Sequence, residues 1–285
     1  MTAEREIAAM RRILVALDAS PESMAALDHA ATLAVRLHAE LEGLFIEDED
    51  LINLARQPFA REVCRLTSTV QGLDAAKLEQ DLRNQAGMAR NALRMKAEAL
   101  RLRWSFRVVR GRIEGAIEAA AGSADLLAIG RRQRMIEGQA LGRSSTEMAK
   151  RLGCSVLMAM PTRARAEAPI AVVFSNSPCG DAALDLAQRT ARDEERPLLV
   201  IIPAKDRAEY EARRSLLEEG IGTDPKRILI RPAIGPDGRA LRQALEREQP
   251  QLLVLGCDLA GRLPPELAEF AAGSNFPVLV MRGSL

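Results

Sequence analysis

Aromatic side chains are scarce: one Trp, one Tyr and six Phe make up 3% of the 285 residues. That scarcity speaks against a surface that stacks nucleic-acid bases, and it requires cores built from Leu, Ile, Val, Ala and Met. Net charge is almost absent as well, at +1 from 40 basic and 39 acidic residues. No global field draws the chain to nucleic acid or to an anionic membrane. Long apolar runs are missing, since none approaches the roughly 18 residues that span a bilayer. The opening stretch MTAEREIAAMRRILVAL mixes charges and lacks the apolar segment of a signal peptide, so a cytoplasmic location is expected. The four cysteines, Cys64, Cys154, Cys179 and Cys257, are scattered with no C-x-x-C pair. They read as buried thiols in a reducing compartment. Only two histidines occur, His29 and His38. Nine positions apart on one predicted helix, they face opposite ways and make no shared metal site.

What the chain has is length for two domains of about 140 residues and 47% hydrophobic residues to fill them. Strand and helix signals alternate. RILVAL (12–17) is a short apolar run, and DASPES follows as a turn with Ser20 as N-cap and Pro21 at the first helical position. The helix runs to about His38, with Met24, Leu27, Ala31, Ala34 and Leu37 at helical spacing. ELEGLFIE (40–47) is a second strand. An irregular segment then leads through Arg56-Gln57-Pro58 to a long amphipathic helix from about Leu73 to Arg103. SFRVVRG, the helix IEGAIEAAA, the strand DLLAIG (125–130), a helix near 145–152 and the strand SVLMAM complete the first half. Such alternation implies crossover connections and a parallel sheet covered on both faces.

PTRARAEAP (161–169), charged and bracketed by prolines, reads as a linker. Beyond it the pattern restarts. A shift of 157 residues aligns ILVALDASPESMAALDHA with IAVVFSNSPCGDAALDLA without a gap, so that Ile13 meets Ile170, Ser20 meets Ser177 and Pro21 meets Pro178. LLVLG ending at Gly256 repeats LLAIG ending at Gly130. The chain therefore reads as a tandem duplication, with one domain over 10–161 and a second over 168–283.

Between an apolar run and a helical run lies AIGRRQRMIEGQALGRSSTEM (128–148). An Asp closing the first strand, a Ser-Pro helix start and this glycine-bracketed loop together resemble the universal stress protein family. The resemblance covers nearly the whole chain as two copies, close in the first and eroded in the second. It implies two five-stranded parallel α/β (Rossmann-like) domains and, in many members, bound ATP. The family's phosphate signature, G-x2-G-x9-G followed by Ser or Thr, is matched in part. Gly130 supplies the first position, Gln133 replaces the second glycine, and Gly142 arrives one residue early, followed by Arg143, Ser144 and Ser145.

A loop leaving the carboxyl end of a parallel strand and opening a helix presents unpaired N–H groups where open α/β sheets bind ligands. Glycine lets backbone approach phosphate oxygens, and Ser144 and Ser145 can cap the helix and donate to the same oxygens. Arg131, Arg132, Arg134 and Arg143 outweigh the single acid Glu137, and guanidinium forks suit phosphate. By resemblance, Asp18 and Ile46 flank the adenosine end. A carboxylate at Asp18 can accept hydrogen bonds from ribose or base, and Asp is also a good turn residue. The nucleotide site expected is thus Asp18, Ile46, Gly130, Arg132, Gly142, Arg143, Ser144 and Ser145, holding ATP with or without Mg²⁺.

The second half looks disarmed, with Ser175 where Asp18 would be and a shortened loop carrying Pro264-Pro265. The last strands, 155–160 and 277–281, are short and apolar, and family members typically dimerise through this edge. The tandem chain would then resemble one dimer in a single polypeptide, with a further homodimer open. No histidine, activated nucleophile or paired carboxylate marks the loop, so the expected role is an ATP-binding stress-response module with at most slow hydrolysis. The competing readings are a nucleotide-free interaction protein using an altered loop, and an ATP-dependent enzyme of the adenine-nucleotide α-hydrolase-like group. The absence of an SGGxDS loop after the first strand argues against the latter.

Overall fold

The computed structural model describes residues 10–63, 70–131, 152–161, 167–221, 227–235, 238–256 and 274–282. In the first half, strands β1 (Arg12–Ala16), β2 (Glu40–Asp48), β5 (Trp104–Gly111), β6 (Leu126–Gly130) and β7 (Ser155–Ala159) alternate with helices α1 (Pro21–Leu37), α3 (Ala75–Ala99) and α4 (Ile113–Ala121). The second half carries β8 (Ile170–Val173), α5 (Pro178–Asp193), β9 (Leu198–Ala204), α6 (Arg207–Gly220), β10 (Ile228–Ile234), α7 (Arg239–Glu248), β11 (Leu252–Gly256) and β12 (Val278–Met281). All ten strands form one sheet in the order β10-β9-β8-β11-β12-β7-β6-β1-β2-β5. Within each half every pairing of this ten-stranded sheet is parallel, in keeping with the buried apolar runs of β1, β7 and β8.

The halves join at the seam between β12 and β7, the one antiparallel pairing of the sheet. The registers Val278↔Met158, Leu279↔Leu157 and Val280↔Val156 are symmetric about the central pair. Matching Gly130↔Ala159 with Gly256↔Met281 makes Leu157 and Leu279 equivalent positions of the two halves. A pseudo-twofold axis therefore passes between them. The expected edge-to-edge union of the last strands is present.

Repeated hydrogen bonds show how closely the halves copy one another. Leu17 N–H donates to Leu44 O at 2.8 Å, and Phe174, 157 residues on, donates to Ile201 O at 2.9 Å. Leu41 and Leu198 donate likewise to Arg103 O and Arg227 O. Ser20 caps α1 by accepting from Ser23 N, and Ser177 caps α5 by accepting from Gly180 N, each followed by proline. These are the caps that satisfy orphan N–H groups of a first helical turn.

The segment after β2, expected to be irregular, is ordered into elements of its own. Helix α2 (Glu49–Ala55) starts directly at the strand's end, capped by Asp48, and a hairpin of β3 (Arg61–Val63) and β4 (Val70–Gly72) follows. Leu73 N–H closes the hairpin on Ala60 O at 3.0 Å, and Arg56 pairs with Glu79 of α3 at 3.2 Å. Helix α3 buries Leu82, Ala86, Ala89, Leu93 and Ala97, one face at helical spacing.

Helix α1 stops where expected: His38 is its left-handed C-cap, with φ 51°, and Glu195 repeats that conformation after α5 with φ 53°. His29 lies on α1, partly buried. Burial pushes its pKa below the usual imidazole value, opposed by the carboxylates of Glu194 and Asp28 and assisted by Lys96. The unfolded imidazole takes up a proton near pH 6.5, while the folded one resists to lower pH. The unfolded state then binds more protons, and stability falls as pH drops below about 6.5. Leu186 occupies the equivalent position in the second half. His29→Leu is expected to flatten that acid-side loss, measured as urea midpoints between about pH 7 and 5, with no change in slope above pH 7.

Candidate functional site

Strand order reverses at β1, whose neighbours are β2 and β6. The crevice outside the carboxyl ends of strands at such a reversal is where open α/β sheets bind ligands. Three of the expected site residues fall within the described part and meet at that end. Asp18 follows β1. Continuing the register Ala16↔Leu44 by two residues sets Ile46 beside Asp18, and Gly130 ends β6 on the other side. Arg132, Gly142, Arg143, Ser144 and Ser145 lie outside the described residues, as does Gln133.

Asp18 is a turn residue in earnest. Its Oδ1 accepts from Ser20 N at 3.0 Å and from the Ser20 hydroxyl, while its own N–H donates to Ser23 Oγ at 3.4 Å. Ala19 between them takes a left-handed φ of 60°, which places the carboxylate back over the helix start. Ser23 is buried and its hydroxyl donates to Ser20 O at 3.0 Å. The carboxylate, the cap and the first helical turn thus form one hydrogen-bonded unit at the mouth of the crevice.

Gly130 has a packing reason to be glycine. A Cβ there would lie 2.5 Å from Glu22 C and Ser23 N, both backbone atoms of α1. Gly256 repeats the arrangement, with a Cβ 2.7 Å from Cys179 O and 2.8 Å from Gly180 N. Close approach of strand end to helix backbone holds in both halves, including the one with an eroded loop. The glycine alone is therefore no signature of phosphate.

Arg131 departs from the expected role. Its side chain turns to the seam, where Nη1 donates to Ser274 Oγ of the second half and Nη2 approaches Met160 Sδ, both at 3.2 Å. Burial holds its pKa below the usual guanidinium value. This destination was not legible in the sequence, where Arg131 is one of four loop arginines.

In the second half the corresponding turn is rebuilt. Ser175 replaces Asp18, and Gly180 replaces Ser23. A Cβ at Gly180 would lie 2.1 Å from Ser175 Oγ and 2.2 Å from Ser175 O. Ser175 thus fills the space that the Ser23 side chain takes in the first half, and its hydroxyl lies 3.1 Å from Ser177 Oγ. The carboxylate is gone and the turn has moved onto the helix start.

The thiols behave as expected where they are described. Cys154 and Cys179 are buried. Burial pushes the Cys154 thiol up to about 11, and Cys179 Sγ donates to Met281 O at 3.2 Å. Cys64 and Cys257 lie outside the described residues. No helix among the described residues is long and apolar enough to cross a membrane.

A Rossmann-like sheet repeated in tandem, with an acidic turn after its first strand, defines the class. The chain belongs to the universal stress protein family, whose model matches residues 10–159. A universal stress protein from Archaeoglobus fulgidus superposes over 97% of this chain and 100% of its own at a TM-score of 0.68 and 16% identity. A putative universal stress protein from Pseudomonas aeruginosa covers 97% of this chain and 94% of its own, with a TM-score of 0.58 and 17% identity. A universal stress protein solved in complex with cAMP covers 52% of this chain and 95% of its own, at 0.31 and 22%. No curated protein matches the sequence.

Gly130→Ala and Gly256→Ala should each lower stability by about 1–3 kcal/mol, the cost of overpacking a tight contact, measured by urea unfolding. A glycine kept only for a ligand would leave stability unchanged at both positions.

Proposed function

We propose that the first half binds an adenine nucleotide, ATP being the expected ligand, and that the second half binds none. The chain then serves as a nucleotide-responsive module of the stress response, in a cytoplasmic setting. The observation that carries this reading is the meeting of Asp18, Ile46 and Gly130 at the strand-order reversal, next to the capped start of α1. An apolar wall at Ile46 suits the adenine ring. A carboxylate at Asp18 accepts from ribose hydroxyls or the base, and the loop beginning at Arg131 brings glycine, serine and arginine for phosphates. Mg²⁺ would accompany the triphosphate.

The residues fit this ligand better in the first half than in the second, where Ser175 supplies no carboxylate and occupies the turn. One site per chain follows. A second reading, an interaction protein without nucleotide, draws on Arg131, whose guanidinium is engaged with Ser274 rather than held for phosphate.

Purified protein is denatured and any released nucleotide identified by chromatography, after which stripped protein is titrated with ATP by calorimetry. The expected result is one site per chain. Asp18→Ala weakens it by about tenfold or more through loss of a charged acceptor, Gly142→Val abolishes it, and Ser175→Ala leaves it unchanged. No released nucleotide and no heat up to millimolar ATP would overturn the proposal in favour of the interaction protein.

A further inference from the structure

The pseudo-twofold axis through Leu157 and Leu279 makes a strict demand on residues lying upon it. In a pair of identical halves such a residue meets its own copy. Helices α1 and α5 lie at the same 157-residue shift through their caps: Ala39 N–H donates to Ala34 O at 2.9 Å, and Arg196 N–H donates to Ala191 O at 2.8 Å. Arg36 and Asp193 are therefore equivalent positions. They also touch, with Arg36 Nε 3.2 Å from Asp193 Oδ2. Arg36 Nη2 reaches Glu194 Oε1 at 3.0 Å, and the equivalent of Glu194 in the first half is the apolar Leu37. The Arg36 side chain is only 13% exposed, so a like charge facing it would be poorly screened by water.

Arg131 gives an independent indication. Counting back from the paired last strands, Ser274, which accepts from its guanidinium, stands where the first half has Leu152. Leucine offers no acceptor to a largely buried cation.

We propose that this surface selects its partner: the seam face of a first half accepts a second half and rejects another first half. Two first halves would oppose Arg36 to Arg36 and leave Arg131 facing Leu152. Two second halves would oppose Asp193 to Asp193, with Glu194 on each side already paired with its own Arg196. Duplication removed the requirement that both sides of the axis be identical, and across the axis Arg36 now meets Asp193 and Glu194, Glu194 being shared with Arg196 of its own half. Specificity of this kind rests on the penalty for the wrong pair as much as on the gain from the right one.

The test begins in the intact chain. Arg36→Asp places three carboxylates together and is expected to lower the melting temperature by about 5 °C. Adding Asp193→Arg restores at least half of that loss, and by more than Asp193→Arg changes the wild type, which separates pairing from the effect of either charge on its own helix end. The full chain is then given a protease site within 162–166, cleaved after folding, and mixed in mild urea with an affinity-tagged, equally cleaved sample. Tagged wild-type first halves should retain untagged second halves and no untagged first halves. Tagged Arg36→Asp first halves should retain untagged wild-type first halves, since aspartate then faces Arg36. The proposal is overturned if the charge-exchanged pair shows no recovery beyond the single changes, or if wild-type first halves retain one another. Should cleavage precipitate the halves, the intact-chain cycle decides alone.

Discussion

Everything in this molecule hangs on the pairing of β7 with β12. An edge strand exposes a row of unpaired N–H and C=O groups and, in these sequences, a row of apolar side chains. SVLMA and VLVM are buried along their whole length, each paired with the other across the seam and covered by the helices of its own half. A Val or Leu left at a water-facing edge would forgo roughly 1.5–3 kcal/mol apiece. Neither half can leave this edge to solvent without that loss, so the second half is required by the first whatever else it does. That requirement explains why a repeat can lose its acidic turn and shorten its loop while keeping its strands, its helix caps and the contact at Gly256.

The two halves consequently answer to different demands. Where residues serve the shared sheet, they repeat: Ser20 with Ser177, Pro21 with Pro178, Gly130 with Gly256. Where they serve the crevice, they diverge: Asp18 with Ser175, Ser23 with Gly180. The divergence is coordinated. Losing the serine side chain at Gly180 opens space at the helix start, and Ser175 moves into it. A carboxylate in that position would be pressed against the first helical turn, so the loss of the acid and the loss of the Ser23 equivalent belong to one rearrangement.

Much of this was legible in the sequence because it rests on local chemistry and periodicity. Ser-Pro after an apolar run is a helix start in any context, and the gapless match of the first strand and helix, followed by matching later strands in the same order, carries strand order and edge pairing from one half to the other. The insert after β2 was less legible. Its elements are short, and β3 and β4 have three residues each, too few for alternation to register. The reason for Gly130 was hidden for another cause: strand-helix approach and phosphate approach call for the same residue. Of the eight expected site residues, Asp18, Ile46 and Gly130 lie at the carboxyl ends of neighbouring strands, and the five loop residues lie outside the described residues. Arg131 and Arg36 could not have been assigned, because their partners, Ser274, Asp193 and Glu194, are distant in sequence and meet them only across the seam.

That seam also bears on how the candidate site would work. Arg131 directly follows Gly130, and its backbone N–H continues the sheet by donating to Ala159 O at 2.7 Å. Its side chain then crosses to Ser274, which in turn donates to Phe276 O at the approach to β12. The base of the candidate loop is thus fixed on two sides, by α1 through Gly130 and by the second half through Arg131. Even without a nucleotide of its own, the second half would contribute to the proposed site by holding the residue from which the loop departs. Deleting the second half would therefore expose an apolar edge and release Arg131 in one step, and the two losses cannot be separated by truncation. They can be separated at single side chains, because Leu157 and Leu279 bear on the edge while Ser274 bears on the arginine.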